Sequence, residues 1–187
     1  MKDYSGRNFI KLNSIASLGF MGAGTIAGSA ASVMKSKRIK TISDLNLKKL
    51  RESYKEALLG KFIPNMDSLV VDHELGGFMC SVDILTRKLV STNKLAWFEG
   101  RGLWTFSFLY NNIEKNPRYL EIAGKSKDFI LKLLPADGTY YISGFTKEGK
   151  PLSDVEGDIY GNLFVAEGLA EYSKASGETK YFTKAKD

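Results

Sequence analysis

The chain has 187 residues, of which 26% are charged and 12% are aromatic, and this composition favours a globular domain over a disordered chain. Its net charge of +6 comes from residues 1–42, which hold seven of the 27 basic residues and one of the 21 acidic ones. Residues 43–187 are neutral overall, so the sequence predicts no nucleic-acid-binding surface. The single cysteine, Cys80, excludes an internal disulfide framework.

Residues 1–35 are predicted to be a leader. Basic residues precede an apolar run from Leu12 to Ala31, which ends in small residues. This layout is typical of an export signal, so we expect a periplasmic or cell-envelope protein. The segment resembles a twin-arginine signal, except that Gly6 stands where the first arginine belongs, and an ordinary secretory signal fits as well. The alternatives are an uncleaved anchor, which would be the chain's one contact with a membrane, and a buried core helix.

The next predicted element is an amphipathic outer helix. Ser43 is its predicted N-cap, and Pro64 is predicted to lie at or just after its end. The apolar residues that follow the cap share one helical face: Leu47, Leu50, Tyr54 and Leu58. The segment after this helix contains Gly76-Gly77 and predicts a hairpin or an extended loop. His73 is the only histidine, and with no second ligand at metal-binding spacing it predicts a hydrogen-bonded surface residue rather than a metal site.

The central helix is predicted within Lys94 to Tyr110, KLAWFEGRGLWTFSFLY. Apolar residues occupy so much of its circumference that we expect a buried helix. One stripe at helical spacing is Trp97, Arg101, Trp104 and Phe108. A buried guanidinium needs acceptors, which are either protein carboxylates such as Glu99 or the oxygens of a ligand. Gly100 and Gly102 favour the functional alternative, because glycine allows close approach of another group.

Two further helices and a second hairpin follow. Asn116-Pro117 fits the start of an outer helix, with asparagine as the N-cap and proline in the first turn. A second hairpin is predicted within residues 139–149. The next inner helix is predicted from about Asp158 to Ser176, with Gly177 as its C-terminal cap and another helix starting near Thr179.

Alternation of outer and inner helices predicts an all-α fold. The pattern is a repeat of helix pairs with short β-hairpins between them, which is typical of an (α/α) toroid. Residues 36–187 supply less than half of a closed ring, so we expect the N-terminal portion of a longer protein. The alternative is a small open bundle that forms a homodimer.

Four segments carry a resemblance to a known family. They are DHELGGFMCSVD, KLAWFEGRGLWTFSFLY, DGTYYISGFTKEGKP and DIYGNLFVAEGLAEYSKASGETKYFTKA. In this order and spacing they resemble the N-acylglucosamine 2-epimerase family, which includes cellobiose 2-epimerases. The family's run of lysine, tryptophan, a glycine–arginine pair and tryptophan is reproduced from Lys94 to Trp104. The resemblance implies an (α/α)6 barrel with a sugar in its central cavity and no cofactor.

The resemblance also implies roles for three residues. Arg101 matches the family's active-site arginine, which would offset the charge of an enediolate formed from a ring-opened sugar. Tyr160 and Trp104 would bind the sugar, by hydrogen bonding and by stacking. The family's catalytic histidines lie in the C-terminal half of the barrel and His73 is in the wrong segment to replace them. We therefore expect this chain to be inactive alone.

Two other functions stay open from the sequence. A glycoside hydrolase on a related barrel would need paired carboxylates, and the acids near the hairpins are Asp72, Asp83, Asp154 and Asp158. An exported, non-catalytic carbohydrate-binding protein would need none. No function is assigned to Glu99, Glu167 or Glu171.

Overall fold

Helices joined by short antiparallel ladders make up the described part of the chain. The computed structural model describes residues 41–42, 45–135, 141, 143–152, 157 and 159–186. The predicted leader, the predicted N-cap Ser43 and most of the segment from 136 to 142 lie outside these residues. The helical fold with short hairpins that the sequence predicts is confirmed for the described residues.

The elements, in chain order, have the following bounds. The strands are β1 (Thr41–Ile42), β2 (Leu45–Asn46), β3 (Ser81–Asp83), β4 (Lys88–Ser91), β5 (Lys94–Leu95) and β6 (Gly144–Phe145). The α-helices are α1 (Leu47–Lys55), α2 (Ile63–Leu69), α3 (Ala96–Phe108), α4 (Pro117–Lys132), α5 (Ile159–Ser176) and α6 (Thr179–Lys184). Two π-helical segments, Glu56–Phe62 and Leu109–Ile113, follow α1 and α3. The strands pair antiparallel as β1–β2, β3–β4 and β5–β6.

The first outer helix differs from its prediction at both ends. The N-cap is Asn46, whose side-chain oxygen accepts hydrogen bonds from the backbone N–H groups of Lys48 and Lys49. Pro64 does not end the helix, because it lies in the first turn of α2 directly after a π-helical segment. The changed hydrogen-bond register there accommodates a residue that has no N–H to donate.

The core forms where α3 packs against α4 and α5. Leu103 and Phe106 of α3 are almost completely buried. On another side of α3, a Cβ atom at Gly100 would lie 2.3 Å from the carbonyl carbon of Phe164 in α5. The backbones of α3 and α5 are therefore in direct contact, and this contact requires glycine at position 100.

Local capping signals place two of the helix ends correctly. Asn116 caps α4 by accepting a hydrogen bond from the N–H of Arg118, and Pro117 is the first residue of that helix. Gly177 follows α5 with a φ of +77°, as the C-terminal prediction requires. Both predictions are confirmed.

The second hairpin is attached to the start of the central helix. Its turn is closed at Thr146–Lys150, where Gly149 has a φ of +94°. β6, which precedes this turn, pairs with β5, which leads into α3. The hairpin thereby places Tyr141 and Ser143 beside the start of α3. No helix among the described residues has both the length and the apolar character needed to span a bilayer.

Candidate functional site

Arg101 lies on the exposed side of α3. The guanidinium carbon lies 5.7 Å from the ring centroid of Trp97 and 5.5 Å from that of Phe164. The prediction that this stripe is buried is wrong for the described chain, since Arg101 is exposed and Trp97 is 39% exposed. The reason is that α3 packs through the sides that carry Gly100, Leu103 and Phe106.

The structural alternative for Arg101, an ion pair with Glu99, is also excluded. Residues two positions apart on a helix are separated by about 200° of rotation, so Glu99 and Arg101 point to opposite sides of α3. Glu99 is fully buried, and within the described residues no carboxylate forms an ion pair with Arg101. Among the described residues, the partners of the guanidinium are the aromatic rings of Trp97 and Phe164.

An apolar cavity of about 470 Å³ lies beside Arg101, between the first turns of α3 and α5. Trp97 and Phe164, the two rings that contact the guanidinium, are also walls of this cavity. Its other lining residues include Leu95, Tyr141, Ser143 and Tyr160. Of the residues predicted for the site, Tyr160 lines this cavity, whereas Arg101 does not line it and contacts two of its walls, Trp97 and Phe164.

Trp104, the third predicted site residue, does not line this cavity. It is half-buried and stacks on Phe108, with the ring centroids 4.8 Å apart and an interplanar angle of 22°. Its role in binding a sugar stays a prediction.

A buried lysine lies next to α3 and belongs to the family motif, and the sequence alone does not indicate its role. Lys94 is completely buried, and its Nζ donates hydrogen bonds to Asp72 Oδ2 at 2.9 Å, to the Gly76 carbonyl at 2.7 Å and to the Lys147 carbonyl at 3.0 Å. It also lies 3.9 Å from the ring centroid of Phe129. These partners satisfy all its donors, so Lys94 joins both loop regions to the start of α3.

Asp72 is the anionic partner in this buried pair. Burial alone would raise its pKa, but the hydrogen bonds from Lys94 and from two backbone N–H groups outweigh it and hold the pKa below its usual value. The carboxylate is therefore ionised and engaged in the loop. Asp83 accepts hydrogen bonds from the N–H groups of Leu85 and Thr86 in the first hairpin. Asp154 and Asp158, the other acids considered for a hydrolase, lie outside the described residues.

Glu99 is the second residue that sequence reasoning missed. Burial raises its pKa to about 8, so the carboxyl group is mostly protonated at neutral pH. Its Oε1 accepts the N–H of Phe78 at 2.8 Å, while Oε2 has no hydrogen-bond partner among the described residues. An acid inside an apolar helix, preceded in the chain by Gly76-Gly77, was the signal that could have revealed it.

His73 has the hydrogen-bonded surface position that the sequence predicts. Its Nε2 lies 2.7 Å from the carbonyl oxygen of Asp67 and its Nδ1 lies 3.0 Å from a guanidinium nitrogen of Arg118. Neither partner lines the cavity beside Arg101. Across the described residues, no three potential metal-ligating side chains come together.

The sequence matches individual known proteins, although no model of a protein family matches it. The chain is 31% identical over 135 residues to cellobiose 2-epimerase of Dictyoglomus turgidum, which covers 71% of this chain and 33% of that protein. It is 25% identical over 120 residues to N-acylglucosamine 2-epimerase of Bos taurus, covering 61% of this chain and 28% of that protein.

The fold is also similar to that of solved epimerases. The cellobiose 2-epimerase from Spirochaeta thermophila superimposes with a TM-score of 0.65 and 31% identity, over 74% of this chain and 34% of that one. The chain spans about a third of the length of the curated relatives that it matches. The resemblance that the sequence motifs indicate is confirmed, and the chain is a relative of the N-acylglucosamine 2-epimerase family.

Proposed function

We propose that this chain forms the arginine-bearing part of a sugar 2-epimerase with an (α/α)6 barrel, acting on a ring-opened aldose through an enediolate. The observation that carries the proposal is Arg101, a guanidinium that no described carboxylate neutralises, lying between two aromatic rings beside a cavity. Its relatives are named as epimerases of cellobiose and of N-acylglucosamine, which supports sugars of these classes as substrates.

The proposed chemistry needs a cation at the position of Arg101. Removal of the proton at C2, next to the sugar carbonyl, transfers negative charge to the enediolate oxygens. A guanidinium stays charged at every working pH and offers several N–H donors, so it stabilises this charge as it develops. Return of the proton to the opposite face inverts C2, whereas transfer to the neighbouring carbon gives the ketose.

The aromatic residues around the cavity supply the binding surface. Tyr160 is 62% exposed and lines the cavity, so its hydroxyl can hydrogen-bond a sugar hydroxyl. Trp97 and Phe164 present ring faces, on which the apolar face of a sugar ring packs. Trp104 follows Trp97 by about two helical turns on the same stripe of α3 and is proposed as a stacking residue.

The proton-transfer groups are proposed to be histidines of the rest of the barrel. General acid–base catalysis near neutral pH is best served by histidine, and the only histidine of this chain is held by Asp67 and Arg118. We therefore propose that this chain alone binds sugar without epimerising it. Residues 1–35 are proposed to export the protein. Self-association as a homodimer through the exposed aromatic stripe is also proposed.

Binding of cellobiose and of N-acetylglucosamine to the isolated chain tests the proposal. Both tryptophans, Trp97 and Trp104, lie on α3, so intrinsic fluorescence reports directly on this surface. We expect saturable quenching with the wild-type chain, about tenfold weaker binding with Arg101→Lys, and unchanged binding with Arg51→Lys, which alters an exposed arginine of α1. Absence of any saturable change, or equal binding by the Arg101→Lys variant, would contradict the proposal.

A further inference from the structure

We propose that Glu99 is the positioning residue for Arg101: its carboxyl group, docked on the Gly76-Gly77 turn, fixes the rotation of α3 and so the direction of the guanidinium. Glu99 and Arg101 project from opposite sides of the same helix, so any rotation of α3 that releases one must turn the other. The functional consequence rests on the proposed sugar site, whereas the structural relationship does not.

The Gly76-Gly77 turn is held in place by hydrogen bonds. The N–H of Asp72 donates to the Gly77 carbonyl and the N–H of Gly76 donates to the Asp72 carbonyl, both at 2.9 Å. The ammonium group of Lys94 also donates to the Gly76 carbonyl. Gly76 and Gly77 have φ values of +82° and +88°, which only glycine adopts readily. The turn is therefore a rigid anchor for whatever docks on it.

The carboxyl group of Glu99 contacts this turn in two ways. Its Oε1 accepts the N–H of Phe78, the residue directly after the turn, at 2.8 Å. A Cβ atom at Gly77 would lie 2.4 Å from Oε2, so the carboxyl group packs directly on the turn backbone. The side chain is completely buried and Oε2 has no described partner, so the group is held by shape and by one hydrogen bond.

One helical turn after Glu99, the same side of α3 packs against the ring of Phe78 at Gly102. A Cβ atom at Gly102 would lie 2.1 Å from a ring carbon of Phe78, and that ring stacks on Phe106 at 5.7 Å. Residues 99, 102 and 106 lie on one side of the helix at helical spacing. With α5 closing on Gly100, the contact at Glu99 holds α3 in the one rotation that directs Arg101 to the Phe164 ring of α5, whereas Trp97 lies on α3 itself and turns with Arg101.

The experiment reads the position of Arg101 without requiring sugar. In the ¹⁵N-labelled chain, the side-chain Nε–Hε signal of Arg101, assigned by its loss in Arg101→Lys, carries the ring-current shift of Trp97 and Phe164. Glu99→Gln keeps the acceptor for the Phe78 N–H and should leave this shift unchanged. Glu99→Met keeps the length and burial of the side chain but removes the acceptor, and the part of the shift that Phe164 causes should be lost, while the part that Trp97 causes stays.

Two outcomes would overturn the proposal. An unchanged Arg101 signal in a folded Glu99→Met variant would show that Glu99 only fills space. A changed signal in Glu99→Gln would show that the hydrogen bond with the Phe78 N–H is not what positions Arg101. If Glu99→Met does not fold by circular dichroism, Glu99→Asp provides the same comparison, because its carboxyl group is one methylene too short to reach the Phe78 N–H. A wild-type chain that binds no cellobiose would refute the sugar site, while the Arg101 signal would still decide the positioning role.

Discussion

Lys94 and Asp72 form a fully buried ion pair, with Nζ and Oδ2 2.9 Å apart and side-chain exposures of 0% and 2%. The pair joins the segment that opens α3 to the loop that ends in Gly76-Gly77. Both candidate features of the site, the guanidinium of Arg101 and the carboxyl group of Glu99, lie on the helix that this pair anchors.

Removal of the lysine should therefore destabilise the fold strongly. We expect Lys94→Met to lower the free energy of unfolding by about 3–5 kcal/mol, because it leaves the Asp72 carboxylate buried without its partner. Urea unfolding followed by circular dichroism measures the change. Lys48→Met is the control, since its pair with Glu52 is exposed and should contribute at most about 1 kcal/mol. Equal losses in the two variants would contradict the anchoring role.

Glu99 predicts a particular dependence of stability on pH. Its pKa is raised to about 8 in the native state from an ordinary value of 4.5, so the native chain holds a proton that the unfolded chain has released. The stabilisation is complete below about pH 4.5 and is lost as pH rises to about 8, because unfolding then releases a proton. Burial is the main cause of the raised pKa of Glu99, and Asp72 reinforces it, whereas the hydrogen bond from Phe78 and the charge of Lys94 oppose it.

Urea unfolding at several pH values between 5 and 9 tests this dependence. We expect the free energy of unfolding of the wild-type chain to fall with pH, and Glu99→Gln to remove most of the slope because its amide does not titrate in this range. Parallel curves for the two proteins would show that Glu99 is ionised in the native state.

The contact between α3 and α5 makes Gly100 intolerant of substitution. A Cβ atom there meets backbone atoms of Phe164 and Val165 at 2.3–2.4 Å, and a backbone cannot move aside as a side chain does. We expect Gly100→Ala to destabilise the chain by about 1–3 kcal/mol or more. Gly124→Ala in α4 is the matched control, because its Cβ meets only the Tyr172 hydroxyl at 3.3 Å and alanine favours a helix. Thermal unfolding that ranks the two variants in the opposite order would contradict the close packing.

Local signals account for what the sequence predicted correctly. Asn116-Pro117 begins a helix and Gly177 follows the end of one. Both act through interactions with their immediate neighbours, so the residue types are enough to predict these helix ends. Periodicity likewise identified α3 as a helix. It could not identify which side of α3 is buried, because that depends on the approach of α5 to Gly100 and of Phe78 to Gly102, contacts between residues distant in the chain.

The same limit explains the missed residues. The sequence does not indicate a role for Glu99, because its hydrogen-bond partner, the N–H of Phe78, is 21 positions away in the chain. The acceptors of Lys94 come from two separate loops, one of them 53 residues later in the chain. The sequence predicts a helix end at or just before Pro64, because the π-helical segment that precedes this residue leaves no simple sequence pattern.

The measurement that tests the central claim most directly is deuterium incorporation by a chimera. The matched third of the Dictyoglomus turgidum cellobiose 2-epimerase is replaced by the corresponding residues of this chain, and the chimera is incubated with cellobiose in D₂O. We expect deuterium at C2 of the sugar and formation of its C2 epimer, both reduced at least about 100-fold by Arg101→Lys and not by Arg51→Lys. A folded chimera that exchanges no C2 proton, or one that is indifferent to Arg101→Lys, would contradict the account.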